Sequence, residues 1–340
     1  MKKNQIKLFA DEGVFEGHVL HGKLIDTHIS WVVLSGGYAF KIKKPLKYSF
    51  LDFSTLALRK KYCERELKLN RRYSNIYISA LPIRLNHGVY TLGGSRGRIV
   101  DFAVVMKRMK ASLQLNYRLR KKTVVSGQIK TLAKVIAAVH ARANICRKHF
   151  STKTWSNLFN DIQTCKKFIM RKSGRRYGDI IKHSIEWSDS FLAAYPRHFQ
   201  ERIDNGFWRD VHGDLHSGNI FMGKHPILFD CIEFNDAYRK IDVLYEMAFL
   251  VMDFEAMGHQ KLSRVLLKTY IQQFPCLRTE DDMRMFRYYK GLRANIRAKV
   301  HMINAQQSKS GTALRSHLLM AKKYLSLLDH YINDYKNLVD

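Results

Sequence analysis

The sequence predicts an α+β protein in two parts, a sheet-rich segment followed by a helical one. Three observations predict it. Apolar residues alternate with a period of two across residues 18–48 and 80–106. They recur at helical spacing through most of the chain beyond residue 110. Glycine is moderate at 19 and proline scarce at 5 in 340 residues, which favours long helices over a turn-rich sandwich. The pattern changes near Met106–Lys110, so the expected division is residues 1–108 and residues 109–340.

The elements follow in order. Trp31-Val32-Val33-Leu34, Ser35-Gly36-Gly37 and Tyr38-Ala39-Phe40-Lys41-Ile42-Lys43 read as strand, tight turn, strand. The Gly-Gly pair is expected to supply the positive φ angles of a two-residue hairpin turn. Residues 54–73 read as a helix capped by Ser54 or Thr55, with Leu56, Cys63, Leu67 and Leu69 at helical spacing. Val89–Leu92 and Ile99–Met106 flank the polar turn Gly93-Gly94-Ser95-Arg96-Gly97. The first hundred residues are therefore expected to form an antiparallel sheet with one helix. Helices are expected over 127–148, 153–171 and 184–204. A short strand, a polar loop and a hairpin, Ile220-Phe221-Met222 with Ile227-Leu228-Phe229, fill 208–234, and 240–339 is again helical.

Composition narrows the function classes. Hydrophobic residues make up 46% of the chain, which excludes a disordered protein. The formal charge is +30, from 59 Lys+Arg against 29 Asp+Glu, and attracts polyanions. The basic residues are dispersed, without paired zinc ligands, basic-region heptads or an aromatic-rich RNA-binding signature. A solvated basic surface is the expectation, with no specific nucleic-acid partner. The five cysteines are odd in number and none are spaced CxxC, which argues against disulfides and zinc. No signal peptide is expected and no window of about twenty apolar residues would span a bilayer, so the expected location is the cytoplasm. Fifteen histidines include no HExxH. The stripe Met247, Phe249, Leu250, Val251, Met252 and Phe254 reads as core. Tyr288, Tyr289, Arg293 and Arg297 read as a solvated basic helix face with apolar packing beneath.

Chemistry concentrates in Val211-His212-Gly213-Asp214-Leu215-His216-Ser217-Gly218-Asn219. Phosphoryl transfer needs a hydroxyl held in line and developing charge held by metal and cations. An Asp that orients the hydroxyl and an Asn that binds metal do this when a short loop separates them. Asp214 and Asn219 have the D-L-x-x-x-N spacing of the protein-kinase catalytic loop, and His212 falls where that motif places its His. Asp230, ending the apolar run Ile227-Leu228-Phe229, is placed to bind metal. Mg²⁺ takes one or two carboxylates plus phosphate oxygens rather than a full protein cage. Asn219 and Asp230, expected on adjacent strands of one hairpin, supply that partial set.

Residues 208–252 resemble the aminoglycoside-phosphotransferase and choline-kinase superfamily. Further blocks resemble the uncharacterised bacterial aminoglycoside-phosphotransferase-like family. They are Thr27-His28-Ile29-Ser30-Trp31, Ala39 to Pro45, Phe50 to Leu56, Leu69-Asn70-Arg71-Arg72, Phe229 to Asp236 and Ala248 to Asp253. The resemblance spans roughly residues 20–300. It implies a bilobal, protein-kinase-like fold and an ATP- and Mg²⁺-dependent phosphotransferase acting on a hydroxyl of a small molecule. The N-lobe, 1–108, would bind nucleotide. The helical C-lobe, 109–340, would carry the catalytic loop and the acceptor site. Asp214 is implied as catalytic base, Asn219 and Asp230 as metal ligands, and His212 as support for the loop. Asp242 is similar to a buried family Asp that braces that loop, and reads equally as a helix N-cap.

The nucleotide lysine stays open between Lys41 and Lys43, which share one strand face with Ala39. Lys41 occupies the position resembling the family's phosphate-binding lysine. The partner carboxylate is expected on the helix over 54–73, at Glu66 or else Glu64. No G-x-G-x-x-G covers the phosphates. The segment Asp26–Ser30 stands in its place, where backbone N–H groups and the Ser30 hydroxyl would bind phosphate. Adenine is expected against Met106-Lys107-Arg108-Met109. No G-x-x-x-x-G-K-[ST] occurs, although relatives of this family often carry a following P-loop domain. Two alternatives stand beside this reading. One is a catalytically silent nucleotide-binding protein, and the other is a basic binder of nucleic acid or membrane surfaces.

Overall fold

A computed structural model describes the backbone of residues 1–336 and the side chains to Asp334. In chain order its elements begin with α1 (Lys3–Glu12), β1 (Val14–Phe15), β2 (His18–Val19), β3 (Lys23–Asp26), β4 (Ser30–Ser35), β5 (Tyr38–Lys43), β6 (Lys47–Tyr48) and β7 (Leu51–Asp52). Then come α2 (Leu56–Asn70), β8 (Tyr77–Asn86), β9 (Val89–Leu92), β10 (Arg98–Lys107), α3 (Leu115–Arg120), α4 (Ser126–Arg142), α5 (Thr152–Asn160) and α6 (Lys166–Ser173). After these follow α7 (Arg175–Ala194), α8 (Pro196–Asp204), β11 (Trp208–Asp210), β12 (Ile220–Met222), β13 (Pro226–Leu228), α9 (Asp236–Arg239) and β14 (Lys240–Asp242). The last are α10 (Val243–Ala256), α11 (Gln260–Gln273), α12 (Glu280–Gln307) and α13 (Gly311–Lys336). The end of the helical stretch expected to residue 339 lies outside the described residues.

The chain falls into two compact units. The first comprises Met1–Arg118, His212–Asp214 and Gly218–Arg239, and the second Leu119–Val211, Leu215–Ser217 and the chain from Lys240 onward. The first unit therefore extends beyond residue 108 and takes in most of the expected catalytic loop. Local bonds account for this. The Gln114 amide donates to the Gly218 carbonyl at 2.6 Å and the Arg118 guanidinium to the Met222 carbonyl at 3.0 Å.

An eight-stranded sheet organises the first unit, in the order β2-β1-β9-β8-β10-β5-β4-β3. Period-two alternation fills both faces. Trp31, Val33, Phe40, Ile42, Ala103 and Val105 pack on one side with Ile6, Phe9 and Ala10 of α1. Ala39, Phe102, Val104 and Met106 pack on the other, with Cys63, Leu56 and Leu67 of α2. The sequence reading expects one helix here and a mostly antiparallel sheet. In the structure α1 covers the second face, and β1 pairs parallel with β9. Ile6, Phe9 and Ala10 give α1 its buried stripe at helical spacing, short enough to be hidden among lysines. In the β4–β5 turn only Gly36 takes positive φ, at 51°, not both glycines. Thr55 caps α2, accepting from the Leu58 N–H at 3.2 Å, while Ser54 bonds to Asp52.

Helices dominate the second unit. Pro196 starts α8 at its first turn and separates it from α7, where the sequence suggested one helix from 184. The stretch expected as one helix over 153–171 breaks into α5, a 3₁₀ segment (Asp161–Cys165) and α6. Helix α10 is buried almost all round, as its apolar stripe requires. The basic-face expectation for α12 is corrected. Tyr288 and Tyr289 are fully buried and Arg293 is buried. The Arg293 guanidinium lies 3.8 Å from the centre of the Tyr245 ring, so its charge is held over aromatic faces rather than in solvent. Among the described residues no helix is long and apolar enough to cross a membrane.

Candidate active site

Strand alternation sends Lys41 and Lys43 to the α2 face of the sheet, where helical spacing presents Glu66. Both lysines bind it. Lys41 Nζ donates to Glu66 Oε1 at 2.7 Å, and Lys43 Nζ to Glu66 Oε2 at 2.7 Å. Each lysine reaches a second carboxylate. Lys41 binds Asp230 Oδ1 at 2.5 Å, and Lys43 binds Glu233. The result is an alternating chain of charges, Asp230–Lys41–Glu66–Lys43–Glu233. Glu64 is not part of it. Its side chain is exposed and lies 3.9 Å from Lys60.

Burial sets the electrostatics of this chain. For Glu66, burial opposes ionisation, but two adjacent ammonium groups overcome it and hold the carboxyl down at about 2. Burial likewise pulls both lysines down, and is overcome by Asp230 and Glu66 at Lys41 and by Glu233 and Glu66 at Lys43. Both lysines end above their ordinary value. Glu233 ends raised, because burial dominates and its one close cation, Lys43, is offset by repulsion from Glu66. Glu66 faces two cations and Glu233 one, which accounts for the opposite directions.

The catalytic loop is tied to the same unit. His212 Nε2 donates to the Phe229 carbonyl at 2.8 Å, and the Tyr73 ring packs on the imidazole at 5.2 Å between centroids. The Ile232 N–H donates to the His212 carbonyl at 3.1 Å. His212 thus links the loop to the residues on either side of Asp230. Gly213 has φ of 86°, and a Cβ there would lie 2.7 Å from the Tyr238 carbonyl, so only glycine fits. Asn219 Nδ2 donates to the Asp214 carbonyl at 3.0 Å and to its Oδ2 at 3.1 Å. The Phe229 N–H donates to the Asn219 carbonyl at 3.1 Å, placing Asn219 opposite the residue before Asp230. Asp230 itself has φ of 64°, and its N–H donates to the Tyr77 hydroxyl at 2.9 Å. A left-handed non-glycine residue at a candidate metal ligand is local strain held in place by its surroundings.

Among the described residues no three His, Cys, Asp or Glu side chains form a metal-binding group. Asn219 Oδ1 and the Asp230 carboxylate are oxygen donors of the kind Mg²⁺ takes alongside phosphate. The apolar cluster around Ala39 includes Met106, and Met109, Val32, Leu34, Ile227 and Phe229 pack against it. The N–H groups of Lys107 and Arg108 are already bound, to the carbonyls of Ile76 and Gly37. Ser30 is buried in β4, and its hydroxyl has no hydrogen-bond partner among the described residues. The turn before it is closed by Thr27, whose N–H and hydroxyl donate to the Ser30 carbonyl at 3.0 and 2.6 Å. Lys44, which sequence reasoning passed over, pairs with Asp26 at 2.6 Å beside this turn.

Two corrections concern the second unit and its carboxylates. Of the two readings of Asp242 the structure bears out the helix N-cap; among the described residues it makes no bond to the catalytic loop. It caps α10 through the Leu244 N–H at 2.8 Å and pairs with Arg202 at 2.6 and 2.9 Å. The carboxylate that holds the loop is Asp253, which accepts from the Ser217 N–H at 2.9 Å and the Ser217 hydroxyl at 2.5 Å. Glu233 and Asp253 both lay in blocks singled out for their family resemblance, but no spacing rule assigned them partners.

No protein-family model matches the chain. Uncharacterised proteins of Mycobacterium tuberculosis and Mycobacterium bovis are 30% identical to it over 312 residues, covering 88% of this chain and 59% of each relative. The chain thus spans about three fifths of the length of these curated relatives. Solved structures are similar in fold. A choline/ethanolamine kinase family protein from Mesorhizobium loti superposes with TM-score 0.53 at 11% identity, covering 96% of this chain and 99% of that one. Choline kinase from Cryptosporidium parvum gives 0.55 at 12%, covering 99% and 96%. An aminoglycoside phosphotransferase in its GDP and kanamycin complex gives 0.52 at 10%, covering 99% of both chains.

Proposed function

We propose that this chain, which shares the protein-kinase-like fold of choline/ethanolamine kinases and aminoglycoside phosphotransferases, belongs to their superfamily and is an ATP- and Mg²⁺-dependent phosphotransferase acting on a hydroxyl group. The narrower placement, in the uncharacterised bacterial aminoglycoside-phosphotransferase-like family, belongs to the proposal, and the mycobacterial relatives are consistent with it.

The observation that carries the reading is the Lys41 ion pair with both Glu66 and Asp230. It ties the candidate phosphate-binding lysine to the candidate metal ligand. In kinases the strand lysine and helix glutamate must pair for activity, and the lysine then holds phosphate. Lys41 takes that role here and Lys43 the structural one, since Lys43 is fully buried between two acids. Asp214 orients the acceptor hydroxyl and takes its proton. Its carboxylate is aimed by Asn219, and the loop by His212. Asn219 and Asp230 would hold Mg²⁺, which supplies charge neutralisation on the phosphates. The turn Asp26–Ser30 is proposed to cover the phosphates through the backbone N–H groups of His28 and Ile29, since those of Thr27 and Ser30 are bound within the turn. Adenine would lie against Ala39, Met106 and Met109, at the Met106–Met109 segment.

The test is Asp214→Ala in the purified protein. Turnover should fall by about two to four orders of magnitude, the range for a positioned acid–base group, with ATP affinity retained. Unchanged ATP consumption in that variant would overturn the role of Asp214, whereas ATP binding without consumption by the unaltered chain would leave a nucleotide-binding protein without transfer.

A further inference from the structure

From Asp230 to Glu233 the chain is held at every residue, and two of the holding groups, Asn70 and Glu233, have no role in the machinery above. Asp230 binds Lys41 by its side chain and the Tyr77 hydroxyl by its N–H. The Cys231 N–H donates to Asn70 Oδ1 at 2.9 Å. The Ile232 N–H donates to the His212 carbonyl, and the Arg239 guanidinium donates to the Ile232 carbonyl at 3.0 Å. Glu233 accepts from Lys43.

The contacts of Asp230, Cys231 and Glu233 lead to one face of α2. Glu66 and Asn70 stand about one helical turn apart on it. The Asn70 amide donates back to the Glu66 carbonyl at 3.0 Å. Asn70 therefore reaches the residue after Asp230 directly. Glu66 reaches the segment at both ends, through Lys41 to Asp230 and through Lys43 to Glu233. Glu66, Asn70 and Lys43 are fully buried, and Glu233 nearly so. A buried ion pulled from its partner is strongly disfavoured, so these links resist opening.

The make-up of the chain of charges argues against Glu233 as mere neutralisation of Lys43. Glu66 and Asp230 already supply two carboxylates for the two lysines, and Glu233 is a third. What Glu233 adds is a second anchor for the segment that carries Asp230. Asp230 needs anchoring, because its φ of 64° persists only where neighbours over-determine it.

We infer that Glu233 and Asn70 are positioning residues, which bolt the segment Asp230–Glu233 to α2 and so hold the Asp230 carboxylate in place for a divalent cation. This rests on the reading of Asp230 as a metal ligand. Neither residue touches the metal or the nucleotide. They act through Asp230, as groups behind metal ligands generally do.

The experiment uses the full chain with Mn²⁺ and ADP as probes. Bound Mn²⁺ is read by electron paramagnetic resonance, ADP binding is measured without metal, and ATP consumption is followed against Mg²⁺ concentration. The variants are Asn70→Ala, Glu233→Gln, Asp230→Asn, and Lys43→Met combined with Glu233→Met. The double variant leaves Glu66 paired with Lys41 and strands no member of the chain, so it tests the anchor where a single change unfolds the protein. The expected result is a rise of about tenfold or more in Mn²⁺ Kd in the Asn70 and Glu233 variants, with metal-free ADP affinity unchanged. Raised Mg²⁺ should restore their ATP consumption and should not restore that of Asp230→Asn. Native Mn²⁺ affinity in the double variant and in Asn70→Ala, whatever their melting temperatures, would overturn the inference. So would a matching loss of metal-free ADP affinity, which marks general damage to the unit. Native Mn²⁺ affinity in Asp230→Asn would instead overturn the metal-ligand reading. Weakened Mn²⁺ binding in the Asn70 and Glu233 variants of a protein that consumes no ATP would overturn the phosphotransferase reading while supporting the positioning role.

Discussion

Glu66 accepts from Lys41 through one carboxylate oxygen and from Lys43 through the other, at 2.7 Å in both cases. One helix residue thus reads two strand residues of the same parity. The two lysines differ in their second partners, and that difference makes their roles separable.

Lys43 sits between two buried carboxylates, so Lys43→Met should be the costly change for stability. It strands Glu233 and halves the pairing of Glu66, with an expected loss of about 3–5 kcal/mol. Lys41→Met leaves Asp230, whose side chain is 42% exposed, able to turn to water. It should cost less stability but weaken ATP binding and turnover. Urea denaturation and nucleotide titration of the two variants check the contrast. A larger stability loss at Lys41 than at Lys43 would reverse the assignment.

Gly213→Ala should lower turnover with the fold intact. Its positive φ and the 2.7 Å approach to the Tyr238 carbonyl leave no room for a methyl group. Strain of about 1–3 kcal/mol is expected. Steady-state kinetics beside a melting curve will show whether the loss falls on kcat.

Asp253→Ala removes the one carboxylate oxygen, Oδ2, that accepts from both the N–H and the hydroxyl of Ser217, which is fully buried. Leaving that N–H unsatisfied should cost about 1–3 kcal/mol. If Asp253 positions the loop, kcat falls while the KM for ATP holds. Proportionate loss of both would reduce its role to stability.

His301 supplies a pH signature in the second unit. Burial, with Arg297 and His317 nearby, pushes its imidazole down from 6.5 to about 4. The folded state therefore resists a proton that the unfolded chain accepts. Stability should fall as pH drops from 6.5 towards 4, and this contribution should level off below. His301→Gln should lose less stability over that window than the native chain. Paired denaturation curves at several pH values measure the difference, and parallel curves would exclude His301 as a contributor.

Much of this protein was legible before its structure. The β4–β5 hairpin, helix α2 and the β12–β13 hairpin follow from local period and turn residues, which act over a few positions. Other features were not legible. The stripe of α1 is only three residues, too short to stand out from its lysines. Tyr288 and Tyr289 sit in a basic stretch, and whether such rings face water depends on what packs over them. Lys41 and Lys43 could not be told apart by alternation, because both lie on the same face.

The sequence by itself determined the secondary-structure classes, the division into sheet and helix, and the residue types of the catalytic loop, since these depend on neighbours in the chain. Only the tertiary structure decided that one glutamate holds two lysines, that Asp253 rather than Asp242 holds the loop, and that exposed rings meet in a ladder. The ionic and hydrogen-bonded partners lie more than twenty residues apart, and the ladder joins rings from distant segments at residues 28, 48–50 and 234–238. Electrostatic pairing and ring contact act through space, and no local spacing encodes them.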